Sequence, residues 1–373
     1  MENLLEKKIT GLILQGGPMT FERFMEIALY DPELGYYCSA DLEIGKAGDF
    51  YTSSHLHPVF GAMLGRQIME MWEFMGRPEQ FTLVEVGGGT GHICCDILDS
   101  LREGQFFDAL QYIIVEINPA MRKKQRALLA AYAEKVSWVS SLEELAPLQG
   151  CIFSNELIDA FPVHLVEMGD ELTEIYVNTR AGALVEEAGP LSTQALADHF
   201  REFHIHIEKG YRTEVNLRAG QWLGDVSAKL LEGFVLTIDY GYNTRDYYSE
   251  DRDRGTLLCY HRHQAGEDPL QHIGQQDITA HVNFSALKKW GEDAGLRTRG
   301  LSSQGAFLVS LGIDAEISRL AKESPDYPVE LARIKKLILP QGMGDSHMVM
   351  VQYKGSGEPV LKGFSLRDQT RHL

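Results

Sequence analysis

The sequence predicts an α/β fold in which helices flank a mainly parallel β-sheet. Three short apolar runs, rich in β-branched residues and followed by turn signals, predict buried strands: FTLVEV (81–86), QYIIVEIN (111–118) and FVLTIDYGY (234–242). Helical spacing of Ile93, Ile97 and Leu98 separates the first run from the second. This alternation of strand and helix is typical of a doubly wound sheet.

The chain before the first of these strands predicts two core-facing helices and a loop. Apolar residues at helical spacing predict helices from Thr20 to Tyr30 and from His57 to Met75. The intervening residues 35–54 are dense in glycine, tyrosine and serine and predict a long ordered loop with a functional role. His55 and His57 lack a carboxylate or cysteine at matching spacing, so no metal site is predicted.

Alternating glycines follow the first strand. Gly87, Gly89 and Gly91 with Glu85 give E-x-G-x-G-x-G, which differs from the G-x-G-x-x-G of nicotinamide dehydrogenases. Glycines allow positive φ and close approach of a ligand, and the following helix offers unpaired N–H groups to an anion. This spacing favours the carboxylate of S-adenosylmethionine, with Glu85 near its positive end. An ordinary tight βα connection is the alternative.

An acidic residue closes the second strand. Glu116 lies 25 residues after Gly91, at the position where a carboxylate typically accepts hydrogen bonds from ribose hydroxyls. A solvated carboxylate at a strand end is the alternative interpretation. Together with the glycine turn, Glu116 predicts a ligand that contains a nucleoside.

Polar residues also follow the fourth strand, Cys151–Phe153. Asn155, Glu156 and Asp159 come directly after it, and neighbouring parallel strands place their carboxyl ends at one crevice. We therefore expect Asn155 and Glu156 to point near the ligand and to orient a nucleophile. A helix cap is the alternative, since Ser154 and Asn155 are both good N-cap residues.

The second half of the chain interrupts the alternation and then resumes it. Residues 165–232 read as an insertion that covers the crevice and contains a β-hairpin across Ala181-Gly182. LSSQGAFLVSLGI (301–313) and SHMVMVQYK (346–354) are predicted as the last strands, separated by a helix from Ala315 to Leu339. The residues after Lys354 are predicted to form a mobile tail.

Composition narrows the class of protein. The 373 residues carry a net charge of −18, which disfavours nucleic acid as a substrate and favours a basic protein segment or an amine. The five cysteines form no C-x-x-C pair, so neither a disulfide framework nor a zinc site is supported. The N-terminus lacks signal-peptide and transit-peptide character, and no apolar run reaches the ~20 residues of a membrane span. We expect a cytoplasmic, bacterial protein.

Several longer motifs resemble one family. They are GPMTFERFMEIALYDPELGYY, GDFYTSSHLHPVFGAMLG, LVEVGGGTG, SNELIDAFPV, GTLLCYHRH, DITAHVNFSAL and SQGAFLVSLGI. Together they resemble the MidA-like S-adenosylmethionine-dependent methyltransferases, which comprise bacterial proteins and a mitochondrial protein arginine methyltransferase that assists assembly of respiratory complex I. The resemblance covers almost the whole chain.

The resemblance implies a class I (Rossmann-like) methyltransferase sheet of seven strands. Its expected organisation is an N-terminal helix and cofactor-covering loop (1–60), the methyltransferase core (61–164 and 233–353), the inserted covering subdomain (165–232) and the tail (354–373). The cofactor-binding set that it implies is Gly48, Asp49, Phe50, Thr52, Ser53, Glu85, Gly87, Gly88, Gly89, Gly91, Glu116, Ile117 and Asn155. His55 and Leu56 depart from the family's loop, which is commonly GDFxTSPE.

The implied activity is N-methylation of arginine in a protein substrate, for which a respiratory-complex subunit is a candidate. Asn155, Glu156 and Asp159 are the implied catalytic residues: the two carboxylates would pair with the guanidinium, and Asn155 would fix the direction of the attacking nitrogen. Two alternatives stay open. One is a methyltransferase for a small molecule or another residue type, and the other is a non-catalytic assembly factor that uses the fold for docking.

Overall fold

A computed structural model describes residues 3–39, 56–262 and 264–373. Its helices of five or more residues are α1 (Leu4–Gly16), α2 (Phe21–Tyr30), α3 (Val59–Phe74), α4 (His92–Leu101), α5 (Gln105–Ala109), α6 (Pro119–Leu128), α7 (Gln194–Glu202), α8 (Leu217–Lys229), α9 (Phe284–Asp293), α10 (Gln304–Ser310), α11 (Ile313–Glu323) and α12 (Tyr327–Ile338).

The strands begin with β1 (Met19–Thr20), β2 (Phe81–Val86), β3 (Leu110–Val115), β4 (Val136–Val139), β5 (Leu148–Asn155), β6 (His164–Met168), β7 (Leu172–Arg180) and β8 (Ala183–Gly189). They continue with β9 (Arg212–Val215), β10 (Leu230–Tyr242), β11 (Leu258–His261), β12 (Gln264–Gly266), β13 (Asp277–Thr279), β14 (Val282–Asn283), β15 (Arg297–Ser303) and β16 (His347–Lys354).

The chain divides into two compact units. The first comprises Met1–Phe50, Ile158–Trp222 and Tyr242–Ala286, and the second comprises Tyr51–Leu157, Leu223–Gly241 and Leu287–Leu373. The first unit contains a five-stranded sheet in the order β1-β7-β6-β9, with β8 paired to β7, and a three-stranded sheet in the order β12-β11-β13. The predicted hairpin across Ala181-Gly182 is confirmed, since β7 and β8 pair antiparallel on either side of it.

The second unit contains the main sheet, in the order β15-β16-β10-β5-β2-β3-β4. Neighbours from β10 to β4 are parallel, whereas β16 runs antiparallel to both β10 and β15. The α/β prediction is therefore confirmed. Seven strands follow this path.

The structure groups the residues differently from the predicted boundaries. Residues 242–286 belong to the first unit rather than to the core, because β11 pairs with β12 and β13, and the Glu214 carboxylate on β9 accepts hydrogen bonds from the N–H groups of Thr256 and Leu257. Residues 223–232 belong to the second unit rather than to the insertion, because the Ser227 hydroxyl donates to the Ala294 carbonyl and the Lys229 ammonium to carbonyls of the β4–β5 connection.

The predicted C-terminal elements need three corrections. The segment LSSQGAFLVSLGI is strand only as far as Ser303, where α10 begins. The predicted helix Ala315–Leu339 is interrupted between α11 and α12, at a segment that contains Pro325. The predicted mobile tail is packed: Leu361 and Phe364 are buried, Phe364 lies 5.5 Å from Phe307 between ring centroids, and the Gly363 N–H donates to the Gln67 side chain.

Among the described residues, no helix is long and apolar enough to cross a membrane.

Candidate active site

The glycine turn lies at the carboxyl end of β2, in the middle of the main sheet. The Gly87 N–H donates to the Val115 carbonyl at the end of β3, over 3.0 Å, and the Gly91 N–H donates to the Gly88 carbonyl over 2.8 Å. Gly87, Gly89 and Gly91 have φ angles of 73°, 51° and 87°, which side chains disfavour. A Cβ at Gly87 would lie 2.9 Å from the Leu157 side chain. The alternating glycines are thus required by the backbone itself.

Glu85, the acidic residue of the motif, is buried, with 2% of its surface exposed. Its Oε2 accepts a hydrogen bond of 2.7 Å from the Tyr112 hydroxyl. Burial raises the pKa of Glu85 to about 8, and the Glu116 charge adds to the rise, although the Tyr112 hydrogen bond opposes it. The carboxyl carbon lies 3.5 Å from where a Cβ of Gly88 would be, so the Glu85 side chain packs against the glycine turn at Gly88.

Glu116 follows β3 directly and is 8% exposed. Its Oε1 accepts from the Asn118 N–H over 2.9 Å, and its Oε2 accepts from the Gln125 amide over 3.1 Å. Burial raises the pKa of Glu116, and these two hydrogen bonds counteract part of that rise. The adjacent Ile117 is 47% exposed, an apolar surface beside the carboxylate. The alternative of a freely solvated strand-end carboxylate is wrong.

Gln125 is a residue of this site that sequence reasoning missed. It is fully buried on α6, and its Nε2 donates to the Gly89 carbonyl over 2.8 Å as well as to Glu116. The Trp138 indole donates to its Oε1 over 2.9 Å. α6 has the basic sequence PAMRKKQRAL, so the only signal for Gln125 was its helical spacing from Met121.

Asn155 and Glu156 contact each other at the end of β5. The Asn155 amide donates to Glu156 Oε1 over 3.1 Å, and the Glu156 N–H donates to the Ile238 carbonyl on β10. Glu156 has a φ of 52°, a conformation that costs a non-glycine residue free energy and concentrates at functional sites. β5 runs through Asn155 and a 3-10 turn (Ile158–Ala160) follows, so the helix-cap alternative is wrong.

His347 is the second residue that sequence reasoning missed. The antiparallel register of β10 and β16 pairs it with Tyr240, whose ring meets the imidazole edge-on with 5.0 Å between centroids. His347 Nε2 lies 3.7 Å from Glu156 Oε1, and its Nδ1 contacts the Ser346 hydroxyl at 3.0 Å. The imidazole is 4% exposed. The imidazole and the Asn155 amide thus both approach Glu156 Oε1.

The remaining predicted residues are Asp159, those of the loop before α3, and His57. Asp159 belongs to the first unit, where it is 3% exposed and its backbone carbonyl accepts from the Ala280 N–H over 2.9 Å. The predicted loop residues Gly48, Asp49, Phe50, Thr52 and Ser53, and also His55, lie outside the described residues. His57 caps α3: its Nδ1 accepts from the Val59 N–H over 3.0 Å.

The second unit thus carries the parts that an adenosylmethionine molecule requires. The turn combines positive-φ glycines with the N-terminus of α4, which suits a carboxylate. Glu116 is a buried acceptor that suits ribose hydroxyls, and Ile117 is an apolar surface that suits a base. Within the part of the chain that the structure describes, no group of three or more His, Cys, Asp or Glu could hold a metal ion.

Solved structures share this architecture. A superfamily member from Burkholderia thailandensis, crystallised with S-adenosyl-homocysteine bound, is 31% identical with a TM-score of 0.91, over 99% of this chain and 96% of that one. A native structure from the same organism is 32% identical with a TM-score of 0.88 and the same coverage.

Curated relatives match nearly the whole chain at lower identity. The protein arginine methyltransferase NDUFAF7 homolog of Drosophila melanogaster is 26% identical over 94% of this chain and 85% of its own length. The Homo sapiens NDUFAF7 is 27% identical over 88% of this chain and 78% of its own length. Residues 63–302 match the model of a family described as S-adenosyl-L-methionine-dependent methyltransferases. The chain therefore belongs to this family, the MidA-like methyltransferases that the sequence motifs resemble.

Proposed function

We propose that this methyltransferase N-methylates arginine in a protein substrate by in-line transfer. Its cofactor is S-adenosylmethionine, whose sulfonium supplies an activated methyl group. The names of the curated relatives support arginine as the acceptor, and the net charge of −18 favours a basic substrate segment. A respiratory-complex subunit is the candidate substrate that the family resemblance implies, and the cytoplasmic location stays part of the proposal.

The cofactor is assigned to the glycine turn and the end of β3. We propose that Gly87–Gly91 and the N-terminus of α4 hold the carboxylate, that Glu116 binds the ribose and that Ile117 contacts the base. We propose that Glu85 supports the turn indirectly, since its carboxyl group accepts a hydrogen bond from the Tyr112 hydroxyl beneath the turn. Gly48–Ser53 and Asn155 complete the proposed set.

The arrangement around Glu156 is the observation that carries the arginine proposal. Asn155 Oδ1 is buried and has no hydrogen-bond partner among the described residues. The nitrogen of the same amide group donates to Glu156 Oε1. The Glu156 carboxylate and Asn155 Oδ1 are both hydrogen-bond acceptors. A guanidinium, with five N–H donors and no acceptor, is the protein side chain that such a set suits best.

The chain's own residues then orient the acceptor. A guanidinium has a pKa above about 12 and keeps its proton in bulk water, so a carboxylate serves by localising its charge in a dry site. We propose that Glu156 does this, that Asn155 Oδ1 directs the attacking nitrogen and that Asp159 supplies the second carboxylate. Alignment of two reactants in this way can contribute roughly 7 to 11 kcal/mol to lowering the barrier.

The test uses purified protein, radiolabelled S-adenosylmethionine and a cell extract. We expect label at arginine in one or a few protein bands, and Glu156→Gln should lower that labelling about a hundredfold or more while calorimetric affinity for S-adenosyl-homocysteine stays within about twofold. Glu103→Gln, an exposed surface change, is the matched control.

Other outcomes would select the alternatives. Label found only in small molecules, or at a residue other than arginine, would replace the acceptor but keep the methyltransferase. Tight cofactor binding with no labelling of any acceptor would favour the assembly-factor alternative. Full activity of Glu156→Gln would remove Glu156 from the mechanism.

A further inference from the structure

Gln125 is unusual among the residues of its helix. α6 has the sequence PAMRKKQRAL, and only Met121 and Gln125 of its side chains are buried. Gln125 is 0% exposed, although glutamine is a residue type that is mostly exposed in folded proteins. A polar group is buried at this cost only when its hydrogen bonds are made within the protein.

Every polar atom of the Gln125 amide has a partner. Nε2 donates one hydrogen bond to the Gly89 carbonyl and one to Glu116 Oε2, over 2.8 and 3.1 Å, and Oε1 accepts from the Trp138 indole over 2.9 Å. Two acceptors face one end of the amide and one donor faces the other, so the partners fix its orientation. One side chain thus joins the glycine turn to the carboxylate after β3.

The methylene groups of Gln125 pack against Gly91, at the end of the glycine turn. A Cβ at Gly91 would lie 3.3 Å from Gln125 Cγ, so α6 packs directly against the turn where α4 begins. Gly91 has a φ of 87°, so both its backbone conformation and its contact with Gln125 favour glycine. The amide of Gln125 therefore contacts the turn at Gly89, and its methylene groups contact the same turn at Gly91.

We infer that Gln125 is a positioning residue for the cofactor: it sets the spacing between the glycine turn, which receives the carboxylate, and Glu116, which receives the ribose. Glutamine alone among the side chains of this length supplies two N–H donors and one acceptor. Methionine would fill the space and leave the Gly89 carbonyl, the Glu116 carboxylate and the Trp138 indole without this partner. Glutamate would oppose the Gly89 and Glu116 oxygens with another oxygen. The inference rests on the cofactor placement of the proposed function and does not depend on the identity of the methyl acceptor.

The experiment is a double-mutant cycle read by calorimetry with S-adenosyl-homocysteine. Gln125→Met should raise the dissociation constant about ten- to a hundredfold, since it removes a hydrogen bond to a charged group. In a Glu116→Ala background the same change should raise it no more than about threefold, because Gln125 acts in large part through Glu116. An equal factor in both backgrounds is what a general loosening of the fold would give, and it would overturn the inference.

A second variant and a control guard against misfolding. Trp138→Phe keeps an aromatic ring but lacks the indole N–H that donates to Gln125 Oε1, so it should weaken binding a few fold in the wild-type background and not in Glu116→Ala. Arg126→Ala removes a side chain from the same helix that stacks on the same Trp138 ring, at 4.4 Å, and should leave the dissociation constant unchanged. If neither Gln125→Met nor Trp138→Phe alters binding, the inference fails.

Discussion

Glu85 is held in a site that disfavours its charge. Its pKa in the folded protein, about 8, exceeds the ordinary value of 4.5 because the carboxyl group is buried. For a carboxyl group shifted in this direction, the stabilising contribution is complete below the unfolded pKa and is lost as the pH rises through the folded pKa. The protein without cofactor should therefore lose stability between about pH 5 and about pH 8 through Glu85.

Replacement of Glu85 by glutamine should remove this pH dependence. From about pH 5.5 to about pH 8.5 the wild-type free energy of unfolding should fall by roughly 3 kcal/mol more than that of Glu85→Gln. Urea denaturation at the two pH values, with Glu103→Gln as the exposed control, measures the difference. Parallel pH dependence in wild type and Glu85→Gln would contradict the assignment.

His347 should matter for turnover but not for cofactor binding. Its Nε2 lies 3.7 Å from Glu156 Oε1, and catalytic hydrogen bonds are often long until the substrate is bound. We expect His347→Leu to lower kcat/KM for labelling of protein about tenfold, and His347→Gln, which retains an N–H donor, to lower it less. His199→Leu, a change of another buried histidine in the first unit, is the control. Equal activity of His347→Leu and His199→Leu would contradict this role.

Sequence reasoning marked candidate residues that have a local signal and missed those that only the pairing of distant strands brings to the site. Glu85, Glu116, Asn155 and Glu156 each stand at the end of an apolar run, so spacing alone marked them. His347 is more than a hundred residues from Tyr240 in the chain, and only the antiparallel pairing of β10 with β16 brings it to Glu156. No periodicity in one segment contains that information.

At the scale of elements, the central strands approach one another closely at two glycines. A Cβ at Gly150 would lie 1.9 Å from the Thr82 carbonyl oxygen, and a Cβ at Gly233 would lie 2.0 Å from that of Gly150. Their φ angles of 151° and 148° also favour glycine. β2, β5 and β10 are thus joined through bare backbone at one level of the sheet.

Gly150→Ala should accordingly disrupt the middle of the sheet. Because the added methyl group would overlap backbone rather than a flexible side chain, we expect a loss of about 3 kcal/mol or more in the free energy of unfolding. Gly224→Ala is the matched control: a Cβ on this α8 glycine meets nothing within 4 Å, and alanine should stabilise the helix by up to about 1 kcal/mol. Thermal unfolding of both variants compares them. A Gly150→Ala protein as stable as wild type would contradict the close approach.

Elements with a long, unambiguous pattern were predictable, and short apolar runs were not. The helix predicted from Thr20 to Tyr30 is α2, and the Thr20 hydroxyl caps it by accepting from the Arg23 N–H. The run GAFLVSLGI could belong to either a strand or a buried helix, because periodicity does not distinguish them over so few residues. Its first six residues lie in α10. The tail contains Leu361 and Phe364, two apolar residues that the glycine-rich GSGEP segment before them obscured.

At the scale of the whole molecule, the acidic net charge attracts a cationic partner at long range and has little effect on a buried chemical step. The chain has 53 acidic and 35 basic residues, yet α6, which carries the buried Gln125 of the proposed cofactor site, has Arg122, Lys123, Lys124 and Arg126. The acidic excess therefore lies elsewhere in the chain. A long-range field of this sign raises the encounter rate with a positively charged partner and contributes little to a buried chemical step.

Added salt should therefore raise KM for a basic substrate and leave kcat nearly unchanged. When the ionic strength rises from about 0.05 to about 0.3 M, the screening length falls to below about 10 Å, so attraction between the acidic surface and an arginine-containing basic peptide weakens. We expect KM for that peptide to rise several fold while kcat changes less than about twofold. A peptide with the same arginine but neutral flanking residues should show no such rise, and its KM at low salt should be the higher of the two. Equal salt dependence for both peptides would mean that recognition is confined to the arginine and the side chains around Glu156.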